Sequence, residues 1–346
     1  MERTMYGIYK DKPTPGAVWK DDLPIPQCGK RDVLVKVRAT AICGTDSAHI
    51  YPWGDFAQER CPVPFVFGHE FSGDIVEVGS GVTEFNVGDR VAGETHIPCN
   101  HCSMCASDRR HNCENMKIIG VHTPGSFAQY IAFPADCAFK IDDSISYEIG
   151  ALLEPMGVGM HGVSKADVKD KVAVIYGCGP IGLMAVAAAK FKGASKIIAI
   201  DVVEEKLEMA KKMGANVVIN SKLQSDVEVV NSETNGSGAD VVIDYTGNKF
   251  AIKAGFQLVR KSGTIVLVGL TSGETSLDLA NDIIYKEATV FGVTGRLMYQ
   301  TWYECLEMLK SGFDLKPLMS GIYALKDFES AFEATKTATG RVVMIP

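Results

Sequence analysis

Between Val33 and Arg38 the chain reads V-L-V-K-V-R, apolar and charged residues alternating with the period of a half-buried strand. Similar short stretches recur at Asp74–Val78 and Val87–Ala92, punctuated by Gly79-Ser80-Gly81 and Val87-Gly88-Asp89. Short strands broken by Gly-rich turns predict an antiparallel, barrel-type unit reaching to about residue 140.

From about Ala151 the rhythm changes. Lys171–Tyr176 is a mostly apolar strand, followed by Gly177-Cys-Gly179-Pro-Ile-Gly182, a helical stretch Leu183–Lys190, and a second apolar strand Lys196–Ile200 that ends on Asp201. Glu204–Met213 reads as a helix stopped by Gly214, Phe250–Arg260 as another, and Val217–Ile219, Asp240–Tyr245 and Thr264–Val268 as strands. Strands alternating with helices predict a parallel α/β sheet. The helix-like Thr301–Lys310 and the strand Gly340–Met344 close the chain, and this tail is expected to return to the first domain.

Composition narrows the class without changing the elements. The 346 residues are enough for two domains, and 46% hydrophobic residues can fill real cores. A net charge of −7 gives no electrostatic case for a nucleic acid or an anionic membrane as partner. No run approaches the roughly 18 apolar residues of a membrane span, and Met1-Glu2-Arg3-Thr4 lacks the apolar core of a signal peptide. The ten cysteines then point to a reducing cytoplasm, where clustered Cys means metal more often than disulfide.

Cysteine spacing gives the first chemical signal. Cys99-Asn-His-Cys102-Ser-Met-Cys105, closed by Cys113, lets one tight loop surround a tetrahedral ion with four thiolates. The closed shell leaves no open position, so a structural zinc is expected. Bacterial ferredoxins share the C-x2-C-x2-C opening but continue with x3-C-P; here seven residues intervene and Glu114-Asn115 follow the last cysteine. Reduced cysteines in a loop are the remaining alternative. The stretch Ala41–Glu70 starts A-I-C-G-T-D-S-A-H-I and ends P-F-V-F-G-H-E, offering a thiolate, an imidazole and a carboxylate. Few protein ligands leave room for a substrate oxygen, as at a catalytic zinc, although Cys and His are often plain core or surface residues.

The glycine motif lies between a strand and a helix, with an acid 19 residues past its last glycine, the context a dinucleotide fingerprint needs. Gly177 makes the turn, Gly179 admits the pyrophosphate, Gly182 packs helix on strand, and the helix N-terminus faces the negative charge. Asp201 is expected to hydrogen-bond the adenosine ribose. Val202-Val203 supply no Arg for a 2′-phosphate, so NAD is favoured over NADP. Thr246-Gly247 and Gly269-Leu270, at strand ends, lie where cofactor meets substrate in open α/β sheets.

A zinc loop at Cys99–Cys113, a G-H-E ending at Glu70 and a later nucleotide fold together resemble the zinc-dependent medium-chain alcohol dehydrogenases, over nearly the whole chain. Within that family the chain is most similar to the L-threonine 3-dehydrogenase branch. The similarity rests on A-I-C-G-T-D at Ala41–Asp46, P-V-P at Pro62–Pro64, G-E-T-H-I at Gly93–Ile97 and, most specifically, T-G-R-L-M-Y-Q-T-W-Y at Thr294–Tyr303. L-L-E-P at Leu152–Pro155 is shared with the sorbitol and butanediol dehydrogenase branch.

The resemblance implies a GroES-like, β-barrel-type catalytic domain over residues 1–152, a Rossmann NAD-binding domain over 153–293, and a return to the first domain over 294–346. It implies a catalytic zinc on Cys43, His69 and Glu70, with Glu154 a ligand or exchanging with water, and a structural zinc on Cys99, Cys102, Cys105 and Cys113. Glu154, just before Pro155, also reads as a solvated helix cap, and Asp46 is placed to orient a ligand. Cofactor contacts are implied at Gly177, Gly179, Pro180, Ile181, Gly182, Asp201, Lys206, Thr246, Val268, Gly269, Leu270 and Thr294.

The implied reaction is zinc-dependent oxidation of a secondary alcohol by NAD, first of all L-threonine to 2-amino-3-oxobutanoate. The alternatives are a polyol or diol substrate and, remotely, a non-catalytic NAD-binding protein. Thr45 passing a proton to His49 matches the family's relay, but the family pattern C-G-T-D-x-H has one residue fewer than Ser47-Ala48-His49 here. Either the loop bulges and His49 still serves, or the relay is altered. His96 is implied in substrate recognition or in structure. Arg296 is implied in a contact with substrate, cofactor or another subunit. A small-molecule substrate, no nucleic-acid or membrane partner, and a homotetramer complete the expectation.

Overall fold

In the computed structural model, which describes residues 4–346, the alternating stretch at Val33 lies inside a strand over Asp32–Ala41. The N-terminal residues Met1–Arg3, read above for a signal peptide, lie outside the described residues. Val33, Leu34, Val35, Val37 and Ala39 are buried, while Arg38 is exposed and Lys36 half-buried. One edge of this strand pairs antiparallel with Glu70–Val78. The other edge pairs first with Tyr130–Pro134 and then, at Thr40 and Ala41, with the late strand Arg341–Ile345. The sheet continues to Arg90–Gly93 and Ala138–Lys140 on one side and to Met319–Ala324 on the other. Ile8, Ile50, Phe67, Phe127, Phe332 and Met344 belong to the core beneath it. The expected strand Val87–Ala92 starts only at Arg90: Val87 is 66% exposed and Gly88 turns the chain at φ +93°.

Residues up to Glu154, with Met319–Pro346, form one unit, and Pro155–Leu318 the other. Residues 294–318, expected in the return segment, thus belong to the second unit. The helix Gln300–Lys310 buries Trp302, Cys305 and Met308. Glu304 on it accepts from Ser164 Oγ at 2.8 Å and pairs with Lys192 at 3.2 Å. That packing holds the segment in the second unit, and the return begins with the strand at Met319.

The second unit carries six strands in the order 217–220, 196–201, 172–176, 239–244, 259–267, 289–292. Every neighbouring pair is parallel. Successive crossovers reverse direction between Val172–Tyr176 and Ala239–Asp244, the switch point where open α/β sheets bind ligands. The strands are apolar on both faces, as a sheet covered by helices requires. Among the described residues no helix is long and apolar enough to cross a membrane, and all ten cysteines are free.

Candidate active site

Strand register assembles the first cluster. Ala41 stands opposite Glu70 on one side and opposite Val343 on the other. Cys43, two residues beyond Ala41, and Arg341, two before Val343, therefore arrive at the same end of the sheet as Glu70. Ligand atoms of Cys43, His69 and Glu70 lie within 4.8 Å of one another. Glu70 is fully buried, and Arg341 Nη2 lies 2.8 Å from its Oε1. Burial pushes the Glu70 carboxyl up to about 7 even though Arg341 pulls it down. Asp46, also fully buried, accepts from the Cys43 backbone N–H at 3.0 Å, and its other oxygen lies 3.7 Å from His69 Nδ1. Burial disfavours charge on His69, but Asp46 and Cys43 outweigh it and hold the imidazole well above its ordinary range.

Asp46 Oδ1 and His69 Nδ1 have no hydrogen-bond partner among the described residues, and buried polar atoms are rarely left so. A sulfur, a nitrogen and a carboxylate converging in a buried site with unsatisfied atoms fit a zinc ion with a position to spare. Glu154 lies within the helix Tyr147–Ala166 and is buried, so it is not a solvated cap. It bears electrostatically on Glu70, His69 and Arg341 but is not one of the three mutually close ligands.

Ser47-Ala48 are accommodated by a wide turn. Asp46–Ile50 winds as a π-helix, and the Tyr51 N–H donates to the Asp46 carbonyl at 2.8 Å. Such a turn takes up one residue without displacing the chain beyond it. Thr45 is half-buried at its start; His49 is exposed on it, its ring 5.4 Å from Phe56. Among the described residues no hydrogen bond joins Thr45 to His49. The loop bulges at this point, which is the first half of the bulged alternative.

In the four-cysteine loop, Cys102 Sγ lies 3.5 Å from Cys105 Sγ and 3.9 Å from Cys113 Sγ. Sulfurs about 2.3 Å from one tetrahedral zinc would be about 3.8 Å apart, so the donor set fits. Backbone N–H groups of Cys99 and Asn115 donate to Cys113 Sγ at 3.1 and 3.4 Å, the support that thiolate ligands receive. Backbone donors, His101 first, bring the Cys99 thiol down to about 6.

In the second unit, Gly177 turns at φ +92°, a conformation that favours glycine. A Cβ at Gly182 would stand 1.8 Å from the Gly177 carbonyl oxygen, whereas one at Gly179 would meet nothing within 4 Å. Gly179 caps the helix Pro180–Phe191, with Pro180 in its first turn and Ile181 half-buried beside it. Asp201 accepts from the N–H groups of Cys178 at 2.7 Å, Val202 at 2.7 Å and Val203 at 3.0 Å, tying the second strand's end to the glycine turn.

Asp244, which no sequence motif singles out, is buried at the end of Ala239–Asp244. It accepts from Thr246 Oγ1 at 2.6 Å and from the Gly247 N–H at 3.0 Å. Gly269 packs directly on Gly247. Lys206 and Val268 are half-buried, Leu270 and Thr294 exposed.

His96, half-buried, receives Glu94 at 3.5 Å from its Nδ1, and Glu94 also accepts from the His96 backbone N–H at 2.8 Å. Arg296 is buried against Gly157 and 6.0 Å from the Trp302 ring, which excludes the surface role of a subunit contact. Arg341 is a further residue that sequence reasoning missed. It lies 271 positions from Glu70, and nothing in its own neighbourhood of sequence marks it.

One unit with a buried S/N/O cluster and a four-thiolate loop, and another with a dinucleotide-type parallel sheet, define a metal-dependent dehydrogenase architecture. The comparisons make this specific. Residues 29–143 match the alcohol dehydrogenase GroES-like domain, and residues 180–311 match the zinc-binding dehydrogenase family. The chain is 43% identical over 325 residues to the L-threonine 3-dehydrogenase of Caldanaerobacter subterraneus subsp. tengcongensis, covering 93% of each. It is 42% identical over 349 residues to that of Symbiobacterium thermophilum, covering 100% of this chain and 99% of the relative. The crystal structure of 2R,3R-butanediol dehydrogenase from Bacillus subtilis matches with a TM-score of 0.88 at 30% identity, covering 99% of both chains. The chain belongs to the zinc-dependent medium-chain alcohol dehydrogenase family.

Proposed function

We propose that the protein oxidises L-threonine at C3 to 2-amino-3-oxobutanoate with NAD. The observation that carries this is the cluster of half-buried Cys43 with buried His69 and Glu70, in a chain 43% identical to an L-threonine 3-dehydrogenase along 93% of its length. Zinc and NAD, when bound, supply a Lewis acid that acidifies the substrate hydroxyl and an acceptor for hydride. Cys43, His69 and Glu70 hold the metal, with Glu154 available as a further carboxylate. Asp46 orients His69, and Arg341 neutralises Glu70. Thr45 takes the hydroxyl proton and His49, on the exposed face of the wide turn, passes it to water. Cys99, Cys102, Cys105 and Cys113 hold a second, structural zinc.

In the second unit, the N–H groups after Gly179 face the pyrophosphate, and Asp201 takes the ribose hydroxyls. Ile181 lies on the same helix as the first of these groups and Lys206 on the helix that follows Asp201, while Thr246, Val268, Gly269, Leu270 and Thr294 follow the C-terminal ends of the strands Ala239–Asp244, Val259–Leu267 and Thr289–Gly292. His96, held by Glu94, is the substrate-facing candidate. Arg296 holds the segment 294–303 from within.

A homotetramer in the cytoplasm is part of the proposal. Among the described residues the strand Thr289–Gly292 pairs on one side only, and Leu279, Ile284, Tyr285 and Val290, in the same stretch of chain, are exposed, a surface suited to another copy. The second reading, a diol or polyol dehydrogenase, has the butanediol dehydrogenase structure and L-L-E-P at Leu152–Pro155 in its favour. Zinc-loaded protein assayed with L-threonine, sorbitol, xylitol and 2,3-butanediol separates them. NAD reduction with a diol or polyol and none with L-threonine would end the first reading.

A further inference from the structure

Lys10 has no exposed surface, and among the described residues no carboxylate lies within ion-pair distance of it. Its Nζ instead donates to three carbonyls, Gly16 at 2.6 Å, Thr14 at 2.7 Å and Tyr51 at 2.9 Å. The Trp53 ring lies 5.2 Å away. An ammonium withdrawn from water is costly unless every N–H finds an acceptor, and a methionine would fill the same space without that cost. What the lysine adds is a tie between the loop 14–16 and the chain leaving the wide turn.

Tyr51 is where that tie lands, and its backbone and its ring are both held. Its N–H closes the turn onto Asp46 at 2.8 Å, and its carbonyl also accepts from the Gly16 N–H at 2.8 Å. Its ring stacks on Phe332 at 4.2 Å with an 11° tilt. Wide turns are rare because the narrower helix has better hydrogen-bond geometry. Were Tyr51 released, Asp46–Ile50 could rewind by one residue, turning the side chains about 100° around the axis. His49 is one of those side chains.

We propose that Lys10 is a positioning residue: by clamping Tyr51 it keeps the Asp46–Ile50 turn wide and so sets where His49 stands for proton transfer. The clamp rests on the proton route proposed above for its effect on turnover, but not for its effect on the turn.

The test is Lys10→Met, with hydrogen exchange measured peptide by peptide, kcat and KM on the zinc-loaded enzyme, and the solvent deuterium isotope effect. Amides over residues 46–53 should exchange about tenfold faster while the rest of the unit changes little. The kcat should fall about tenfold or more with KM for NAD within about twofold, and the isotope effect should grow as proton transfer slows.

A variant that loses thermal stability but keeps wild-type exchange over 46–53 and wild-type kcat would overturn the proposal, leaving Lys10 a core residue only. If Lys10→Met does not fold, Phe332→Leu decides. It removes the ring under Tyr51 and should show the same local exchange and the same loss of kcat; unchanged values overturn the clamp. His49→Gln is run in parallel. A wild-type rate there overturns the proton route, and the exchange over 46–53 still judges the clamp.

Discussion

Gly179→Ala adds a methyl group where no protein atom lies within 4 Å, on a backbone at φ −69° and ψ 177° that any residue adopts. Folding stability should stay within about 0.5 kcal/mol of wild type. The methyl instead enters the space assigned to the pyrophosphate and keeps it from the N–H groups behind. Loss of one or two charge-assisted hydrogen bonds, about 3 kcal/mol together, raises the Kd for NADH about a hundredfold.

Gly182→Ala is the contrasting perturbation. Its Cβ would stand 1.8 Å from the Gly177 carbonyl oxygen, and contacts under 3.0 Å do not persist, so helix and turn must separate by at least 1.2 Å (3.0 − 1.8). Overpacking of that kind costs about 1–3 kcal/mol and also displaces the turn. Urea unfolding reads the stability, and NADH fluorescence titration reads the affinity. Wild-type NADH affinity in Gly179→Ala would refute the placement of the pyrophosphate, and unchanged stability in Gly182→Ala would refute the packing role.

Arg341→Met leaves Glu70 buried without its partner, and urea unfolding of the metal-free protein should show a loss of about 3–5 kcal/mol; an unchanged midpoint contradicts the pair. Cys43→Ala should keep a folded chain with one zinc and no turnover, while Cys102→Ala should lose the other zinc and melt earlier. Identical metal contents and melting behaviour in the two would undo the division of the metals. Burial lowers Lys10 to about 8 from 10.5, with Cys61 and Asp11 opposing. Between those values the unfolded chain binds the extra proton, so folding gains stability as pH rises through that window. Unfolding at pH 7.5 and pH 10 should show wild type gaining on Lys10→Met; a constant difference would show that Lys10 does not titrate there.

The four-cysteine loop and the glycine turn were legible because each is local, whereas the set Cys43, His69 and Glu70 followed from the family resemblance. Spacing alone brings Cys99–Cys113 into one loop, and a strand, three glycines, a helix and Asp201 form a contiguous signal. Arg341 and Lys10 were not legible, for opposite reasons. Arg341 reaches Glu70 only through two strand registers that meet at Ala41. Lys10 looks like any exposed lysine after a hydrophobic run until three carbonyls are seen around it. The boundary at residue 294 failed because the helix after it is amphipathic, and sequence does not say which core its apolar face covers. For Ser47-Ala48 the sequence showed the extra residue but not its conformation, since a π-turn differs from an α-turn by a single hydrogen bond.

The pairing of Asp32–Ala41 with Arg341–Ile345 also joins segments that leave the ribosome far apart in time. Glu70 is made 271 residues before Arg341, which at roughly 5–20 residues per second is an interval of roughly 15–50 s. Throughout it Glu70 lacks Arg341 and the strand at Thr40–Ala41 lacks its partner strand. Pro155–Leu318, contiguous in the chain, can meanwhile close its own sheet. The three metal-cluster residues are thus all made by residue 70, while the Glu70–Arg341 pair needs the last strand of the chain.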